Sequence, residues 1–151
     1  MRTLFIALLL GIAGVVHAAP PPYDESADAR AEIRAALAQA VPDQRAVLVV
    51  FGANWCGDCM TLDQAFKEGS SATLIAKHFK VVKVNVGRFD RNTDIAASYG
   101  VPLKAGIPAV AILSSQGKPI YATRAGELAD ARNLGDPGIH RFFSKLLADT
   151  K

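Results

Sequence analysis

The sequence predicts an α/β domain with a central mixed sheet of about four strands and helices on both faces. Two continuous apolar runs of strand length, 46–51 and 81–86, are separated by segments with helical spacing, which is typical of a βαβ unit with buried parallel strands. Two further β-rich segments flank a polar turn and predict an antiparallel hairpin. An apolar stripe near the end of the chain predicts a final helix that packs on the sheet.

The first half of the domain alternates helix and strand. Apolar residues at helical spacing predict a first helix over 29–40, which Pro42 ends. The buried strand 46–51 follows it. Helices are then expected at 60–67 and 71–78, each with one apolar side.

The second half completes the sheet. Its predicted elements are strand 81–86, a helix at 94–99, strands 109–113 and 120–123, and a helix with its stripe at 139–147. Gly100 ends the short helix, and the polar residues 114–118 form the turn of the hairpin. The stretch 126–137 carries no regular pattern and is expected to be irregular.

Composition limits the function classes. A chain of 151 residues with 50% apolar and 21% charged residues has room for one domain with a real core, which excludes intrinsic disorder and collagen-like fibres. The net charge is only +3, and runs of five like charges are absent from the sequence. Nucleic acid and acidic membrane surfaces are therefore not expected as partners.

Residues 1–18 are predicted to be a signal peptide. Arg2 gives a positive start, 4–16 is uncharged, and 16–18 offers a cleavage position. An uncleaved anchor is the alternative, but thirteen residues span only about 20 Å of a hydrocarbon core of about 30 Å. Residues 19–45 would then hold a proline-stiffened leader and the first helix, and 46–151 the main domain. Export predicts a periplasmic protein without a stable membrane anchor.

Two cysteines carry the chemistry. Cys56 and Cys59 are the only cysteines, and they follow a buried strand where a helix should begin. Their spacing places both sulfurs on one side of the first turn, so they can close as a disulfide and reopen as a dithiol. The N–H groups and dipole of the helix N-terminus favour a Cys56 thiolate, which lowers its pKa below the usual value of about 8.5. Cys59, one turn inward, is expected to be the resolving thiol.

Three other interpretations of the pair stay open. A structural disulfide is compatible with export, but so small a loop removes little entropy from the unfolded chain. A metal site would need further ligands, and His78 and His140 are far from the pair in sequence. A pair without any role is disfavoured by its position between strand and helix. We therefore expect neither a metal nor a cofactor.

The motif Trp55-Cys56-Gly57-Asp58-Cys59, together with Gly106-Ile107-Pro108-Ala109 at the start of another strand, resembles the thioredoxin family. The resemblance covers about 46–123 and implies a thioredoxin-like fold and a protein-disulfide oxidoreductase. It also implies a cis Pro108 facing the cysteines and an Ile107 backbone that pairs with an extended substrate. Trp55 would flank the site as an apolar ledge, although a core position is equally open for it.

The sequence departs from the family at two places. Family members usually carry Gly-Pro between the cysteines, whereas here Gly57 and Asp58 stand there, and a carboxylate opposes ionisation of Cys56. The family's buried acid is replaced by Val50, so Lys83, which matches its strand lysine, would lack a partner. Asp58 or water are then the candidate proton carriers. A Lys83 side chain that reaches solvent is the alternative to a redox-modulating role.

Size and the motif residues indicate the direction of electron flow. The stretch 86–107 is too short for the helical insert of the periplasmic oxidants, and a dimerising domain is not expected, which predicts a monomer. Ile107 and Asp58 favour a reductase or isomerase of protein disulfides, recharged by an unidentified thiol donor, over an oxidant. The alternative from another class is a thioredoxin-like metallochaperone or non-catalytic binding protein.

Overall fold

The computed structural model describes residues 19–149, so the signal peptide predicted for 1–18 lies outside the described residues. The chain forms α1 (Ala29–Asp43), β1 (Ala46–Gly52), α2 (Gly57–Lys67), α3 (Gly69–His78), β2 (Phe79–Asn85), α4 (Thr93–Ser98), β3 (Ala109–Leu113), β4 (Pro119–Ala122) and α5 (Ala131–Asp149). A 3-10 turn (Leu103–Ala105) precedes β3. Among these residues, no helix combines the length and the apolar character needed to cross a membrane.

The strands form one mixed sheet in the order β2-β1-β3-β4. β1 pairs in parallel with β2, in a register that sets Val50 beside Lys83. β3 pairs antiparallel with both β1 and β4. The predicted four-stranded mixed sheet, the βαβ unit and the hairpin are therefore confirmed.

The central strand divides the core into two layers. Val47, Val49 and Phe51 of β1 face α1 and α4, while Leu48 and Val50 face α2, α3 and α5. All five side chains are fully buried. Each such burial is worth about 1.5–3 kcal/mol, so β1 is held firmly from both sides and its end is a stable platform for the residues that come after Gly52. Helices on both faces of the sheet are confirmed.

Two boundaries of helices and strands differ from the predicted ones. α3 passes directly into β2, which starts at Phe79, and no turn residues mark that change. Pro42 lies inside the last turn of α1 rather than beyond it.

The largest difference concerns the stretch 126–137, which is only partly irregular. A helical turn begins at Ala131, and Gly135, with φ 59° and ψ 177°, kinks the chain before α5 continues. The kink interrupts the apolar period, which is why the sequence pattern shows only the later part of α5. We call 126–137 the bridging segment.

The bridging segment is packed against its neighbours. Leu128 and Ala131 are fully buried in the layer of α2, α3 and α5. The carboxylate of Asp136 accepts hydrogen bonds from the backbone N–H and hydroxyl of Ser70 and from the N–H of Ser71, and so caps the start of α3. The segment is thus part of the fold rather than a free loop.

Candidate active site

The cysteine pair sits where β1 ends and α2 begins. Cys56 is the N-cap of α2, with an extended backbone, and its Sγ accepts the N–H of Cys59 at 3.2 Å. Cys56 and Cys59 are joined as a disulfide, with their Cα atoms 5.2 Å apart. An N–H group directed at Sγ stabilises negative charge there, so the reduced Cys56 has a built-in donor for its thiolate.

The two sulfurs differ in access. Cys56 is 6% exposed and Cys59 is completely buried. Cys56 is therefore the sulfur that a macromolecular disulfide can approach, and Cys59 can reach only Cys56.

The loop that precedes β3 faces Cys56. The Ile107–Pro108 peptide bond is cis, and the carbonyl oxygen of Ile107 lies 3.6 Å from Cys56 Sγ. Ile107 lies outside β3, and in the described part of the chain its backbone makes no hydrogen bond to another backbone group. The structure thus brings together the two motifs on which the family resemblance rests, and leaves one peptide unit beside the cysteine able to pair with an extended chain.

Trp55 directly precedes Cys56 and lies at the surface of the protein. Its side chain is half-exposed, and its indole N–H donates to the carbonyl oxygen of Gly87 at 2.8 Å. Phe89 packs edge-on against the ring, with centroids 6.1 Å apart, and the guanidinium of Arg88 lies 5.5 Å from the ring centre. The core position considered for Trp55 is excluded, because the indole is half-exposed.

Asp58 has a partner that the sequence did not indicate. Its carboxylate accepts the backbone N–H of Arg132 at 3.0 Å and lies 3.1 Å from the Arg132 guanidinium. Burial by itself would raise the pKa of Asp58, but the hydrogen bonds and charge of Arg132 outweigh it and hold the pKa below its usual value. The negative charge between the cysteines is therefore compensated from the bridging segment.

Lys83 also has an acid partner, so the expectation that it lacks one was wrong. Its Nζ lies 2.5 Å from Asp63, whose other oxygen binds Lys67 at 2.6 Å. The side chain of Lys83 is only 16% exposed, so it does not simply extend into solvent. Val50 occupies the position of the family's strand acid, and the acid that pairs with Lys83 is instead Asp63 of α2.

Burial and pairing act in opposite directions on this pair. For Asp63, burial raises the pKa, but ion pairs with Lys67 and Lys83 more than offset this and lower it. For Lys83, burial lowers the pKa and Asp63 only partly restores it. Asp63 is therefore ionised at neutral pH. It lies one helical turn after Cys59, on the same side of α2.

The N-terminal segment covers this buried pair. Tyr23 is fully buried, and its backbone N–H and carbonyl exchange hydrogen bonds with the side chain of Asn54, at 3.1 and 2.7 Å. Its ring centre lies 5.4 Å from Lys83 Nζ, and its hydroxyl finds no hydrogen-bond partner within 19–149. Burial, and then the charge of Asp63, raise the pKa of Tyr23, so it stays a neutral lid over the ion pair.

Three residues of this site were missed by the sequence: Asp63, Arg132 and Tyr23. Asp63 did leave a signal, because an acid four residues after Cys59 interrupts the apolar side of a helix between Leu62 and Phe66. Arg132 and Tyr23 left none, since their contacts join residues far apart in the chain.

Side chains that could ligate a metal do not cluster in the described residues. In 19–149, no group of three or more His, Cys, Asp or Glu side chains is placed to hold a metal ion. His78 and His140 are accordingly not part of such a cluster with the cysteines.

Comparison with known proteins agrees with this geometry. The model of the thioredoxin-like family matches residues 28–115. A solved disulphide isomerase from Xylella fastidiosa Temecula1 is 48% identical, with a TM-score of 0.81 over 86% of this chain and 99% of that one. No curated protein matches significantly.

More distant structures share the fold alone. A thioredoxin from Thermus thermophilus is 21% identical, with a TM-score of 0.52 over 76% of this chain and 81% of that one. A poplar thioredoxin h is also 21% identical, with a TM-score of 0.50 over 80% and 91% of the two chains.

A four-stranded mixed sheet that presents a cysteine pair at a helix N-terminus, opposite a cis-proline loop, defines a thiol–disulfide oxidoreductase. The chain belongs to the thioredoxin-like family, and the disulphide isomerase is a relative that it matches over nearly that protein's whole length.

Proposed function

We propose that the protein is exported to the periplasm, where it reduces or isomerises protein disulfides through Cys56 and Cys59. The observation that carries this proposal is the position of Cys56 Sγ, at the start of α2 and 3.6 Å from the Ile107 carbonyl. The similarity to a disulphide isomerase from Xylella supports an isomerase role, and the uncharged segment 4–16 supports export.

The reaction transfers two electrons through one mixed disulfide. The Cys56 thiolate attacks a substrate disulfide, forming a Cys56–substrate bond and releasing the other substrate sulfur as a thiolate. The Cys59 thiolate then attacks Cys56 and releases the second substrate thiolate, which leaves Cys56–Cys59 oxidised and the substrate reduced. A dithiol donor restores the pair, whereas release of the substrate by its own second thiol gives isomerisation.

The Ile107–Pro108 loop and Trp55 align the substrate. An extended substrate segment pairs with the backbone of Ile107, which lies beside the attacking sulfur, while Pro108 shapes that loop. Trp55 provides apolar contact. Because backbone pairing ignores side-chain identity, this arrangement suits many different clients rather than one.

Asp63 is the proposed proton acceptor for Cys59. Cys59 is fully buried, so its proton needs an internal group or a trapped water when it attacks. Asp63 is ionised, lies one turn away on the same helix side, and is held by Lys83. This replaces Asp58 in that role, because Asp58 is turned to Arg132.

A turnover assay tests the proposal. Reduction of insulin by dithiothreitol should accelerate in the presence of the protein and not in the presence of the Cys56→Ala variant, and refolding of a scrambled disulfide protein measures isomerisation. Stoichiometric copper uptake by the reduced protein without acceleration of either reaction would favour the metallochaperone alternative instead. Size-exclusion chromatography tests the expected monomer.

A further inference from the structure

We propose that Arg132 tunes the redox pair: by compensating the charge of Asp58, it keeps the Cys56 thiolate stable and raises the reduction potential of Cys56–Cys59. The inference rests on the proposed function and assigns a role to the bridging segment. The charge of Arg132 acts on Cys56 electrostatically, directly and by compensating Asp58, so Arg132 is a positioning residue rather than a catalytic one.

Geometry places Arg132 on the motif itself. Its guanidinium lies about 3.5 Å from the point where a Gly57 Cβ would stand, so it covers the residue after Cys56. It is also paired with Asp58, through both its backbone N–H and its side chain. The carboxylate is 13% exposed and the arginine 67%, so the acid is enclosed by the motif while its counter-charge sits at the surface.

Contacts at two points of the bridging segment hold Arg132 in place. A Cβ atom on Gly106, which precedes Ile107, would lie only 2.7 Å from the Cβ of Ala129, so the segment packs closely against the cis-proline loop. Asp136, at its other end, is fixed to the start of α3. Leu128, directly before the first anchor, and Ala131, between the two anchors, are buried. The backbone that carries Arg132 is therefore fixed beside the motif.

Other charges near the pair do not substitute for Arg132. Asp63 lies behind Cys59 and is satisfied by Lys83 and Lys67, and Arg88 is held over Trp55. Lys104 is on the exposed 3-10 turn before the cis-proline loop, and Asp130 adds negative charge beside Arg132. Among the described side chains, Asp58 therefore depends on Arg132 for its counter-charge.

The sign of the effect follows from the half-reaction. Two electrons and two protons convert Cys56–Cys59 into two thiols, and Cys56 then loses its proton. Whatever stabilises the thiolate stabilises the reduced form and makes the disulfide a stronger oxidant. An Asp58 charge without Arg132 destabilises the thiolate, while Arg132 without Asp58 stabilises it. Single substitutions of the two residues must therefore move the potential in opposite directions.

The test is redox equilibration of the purified protein with glutathione, combined with the pH dependence of Cys56 alkylation by iodoacetamide. Arg132→Gln should favour the disulfide about threefold to tenfold and raise the Cys56 pKa, which corresponds to a potential about 15–30 mV lower. Asp58→Asn should shift both quantities the other way. The double variant should return near wild type, and Arg132→Lys should restore most of the effect.

A matched control separates electrostatics from stability. Arg30→Gln removes an arginine of similar exposure, which is paired with Asp94, and should leave the potential and alkylation unchanged. Shifts of Arg132→Gln and Asp58→Asn in the same direction, or no shift in either, would overturn the inference. Because glutathione replaces the protein substrate, this result does not depend on insulin reduction, and failure of the insulin assay with wild type would count against the proposed function alone.

Discussion

The two cysteines have different surroundings. We call the residues that flank Cys56 the rim: Arg132, which is mostly exposed, and Trp55, which is half-exposed. We call the buried residues behind Cys59 the interior: Asp63 and Lys83, which are 12% and 16% exposed, and Tyr23, which covers them.

Because of this difference, substitutions in the rim and in the interior should affect the stability of the fold differently. An exposed ion pair is worth about 0–1 kcal/mol and is weakened by salt, so the rim can change the behaviour of Cys56 without endangering the fold. Removal of one partner from a buried pair costs about 3–5 kcal/mol, because it leaves the other charge unpaired. The interior charges therefore contribute to stability as well as to chemistry.

The largest effect on activity, and the largest difference between the rim and the interior, is expected from substitutions of the cysteines themselves. Cys59→Ala should lower multiple-turnover insulin reduction at least about a hundredfold and accumulate a mixed disulfide on Cys56, because resolution is lost but attack is not. Mass spectrometry after acid quenching measures the adduct. Trapping by Cys56→Ala in place of Cys59→Ala would reverse the assigned roles.

Asp63→Asn tests the interior. It should lower the free energy of unfolding by about 3 kcal/mol and slow release of the mixed disulfide about tenfold near pH 6, measured by urea titration and quenched flow. The rate in the variant should rise with pH, since hydroxide or water must then take the proton. Lys67→Gln is the matched control, because it removes an exposed partner of the same carboxylate and should cost less than about 1 kcal/mol.

Asp63 also predicts a pH signature in wild-type stability. Its pKa is lower in the folded protein than in the unfolded chain, so its contribution is fully present above about pH 4 and is lost as pH falls through the folded pKa. The stability difference between wild type and Asp63→Asn should shrink in acid. A difference that stays constant down to pH 2 would contradict this.

Trp55→Ala tests the rim without touching the interior. Loss of the ledge should raise KM for a protein disulfide about fivefold while leaving kcat and thermal stability nearly unchanged, because the indole is half-exposed. Steady-state kinetics with insulin and with a small disulfide should differ, since the small substrate does not reach the ledge. Equal effects on both substrates would place Trp55 in the chemistry rather than in binding.

Asp136→Ala gives the smallest effect and concerns the far end of the bridging segment. Hydrogen bonds from Ser70 and Ser71 hold the pKa of Asp136 far below its usual range. Loss of this cap should cost about 1 kcal/mol above pH 4, and progressively less in more acidic solution. The reduction potential should change far less than in Arg132→Gln, because the contact of Ala129 with the cis-proline loop and the buried Ala131 still hold Arg132 in place. A shift as large as that of Arg132→Gln would mean that the Asp136 anchor alone positions Arg132.

The sequence predicted the features that depend on local pattern. The apolar runs indicated β1 and β2 with their parallel pairing, and the polar turn between two β-rich segments indicated the hairpin. Cys56 was placed at a helix start by the strand before it. Contacts between distant residues left no such trace: Arg132 and Asp58 are 74 positions apart in the chain, and Asp63 meets Lys83 only once α2 has packed on the sheet.

The two ends of the described chain lie at opposite ends of β1. Tyr23 is bound to Asn54, just after the end of β1, whereas Leu147 of α5 lies near Ala46 at the start of this strand, which has seven residues and is roughly 20 Å long. We therefore expect a fluorophore, affinity handle or surface tether attached at residue 19 to interfere with binding of the proposed protein substrates. The same attachment at residue 149 is expected to leave their binding unaffected.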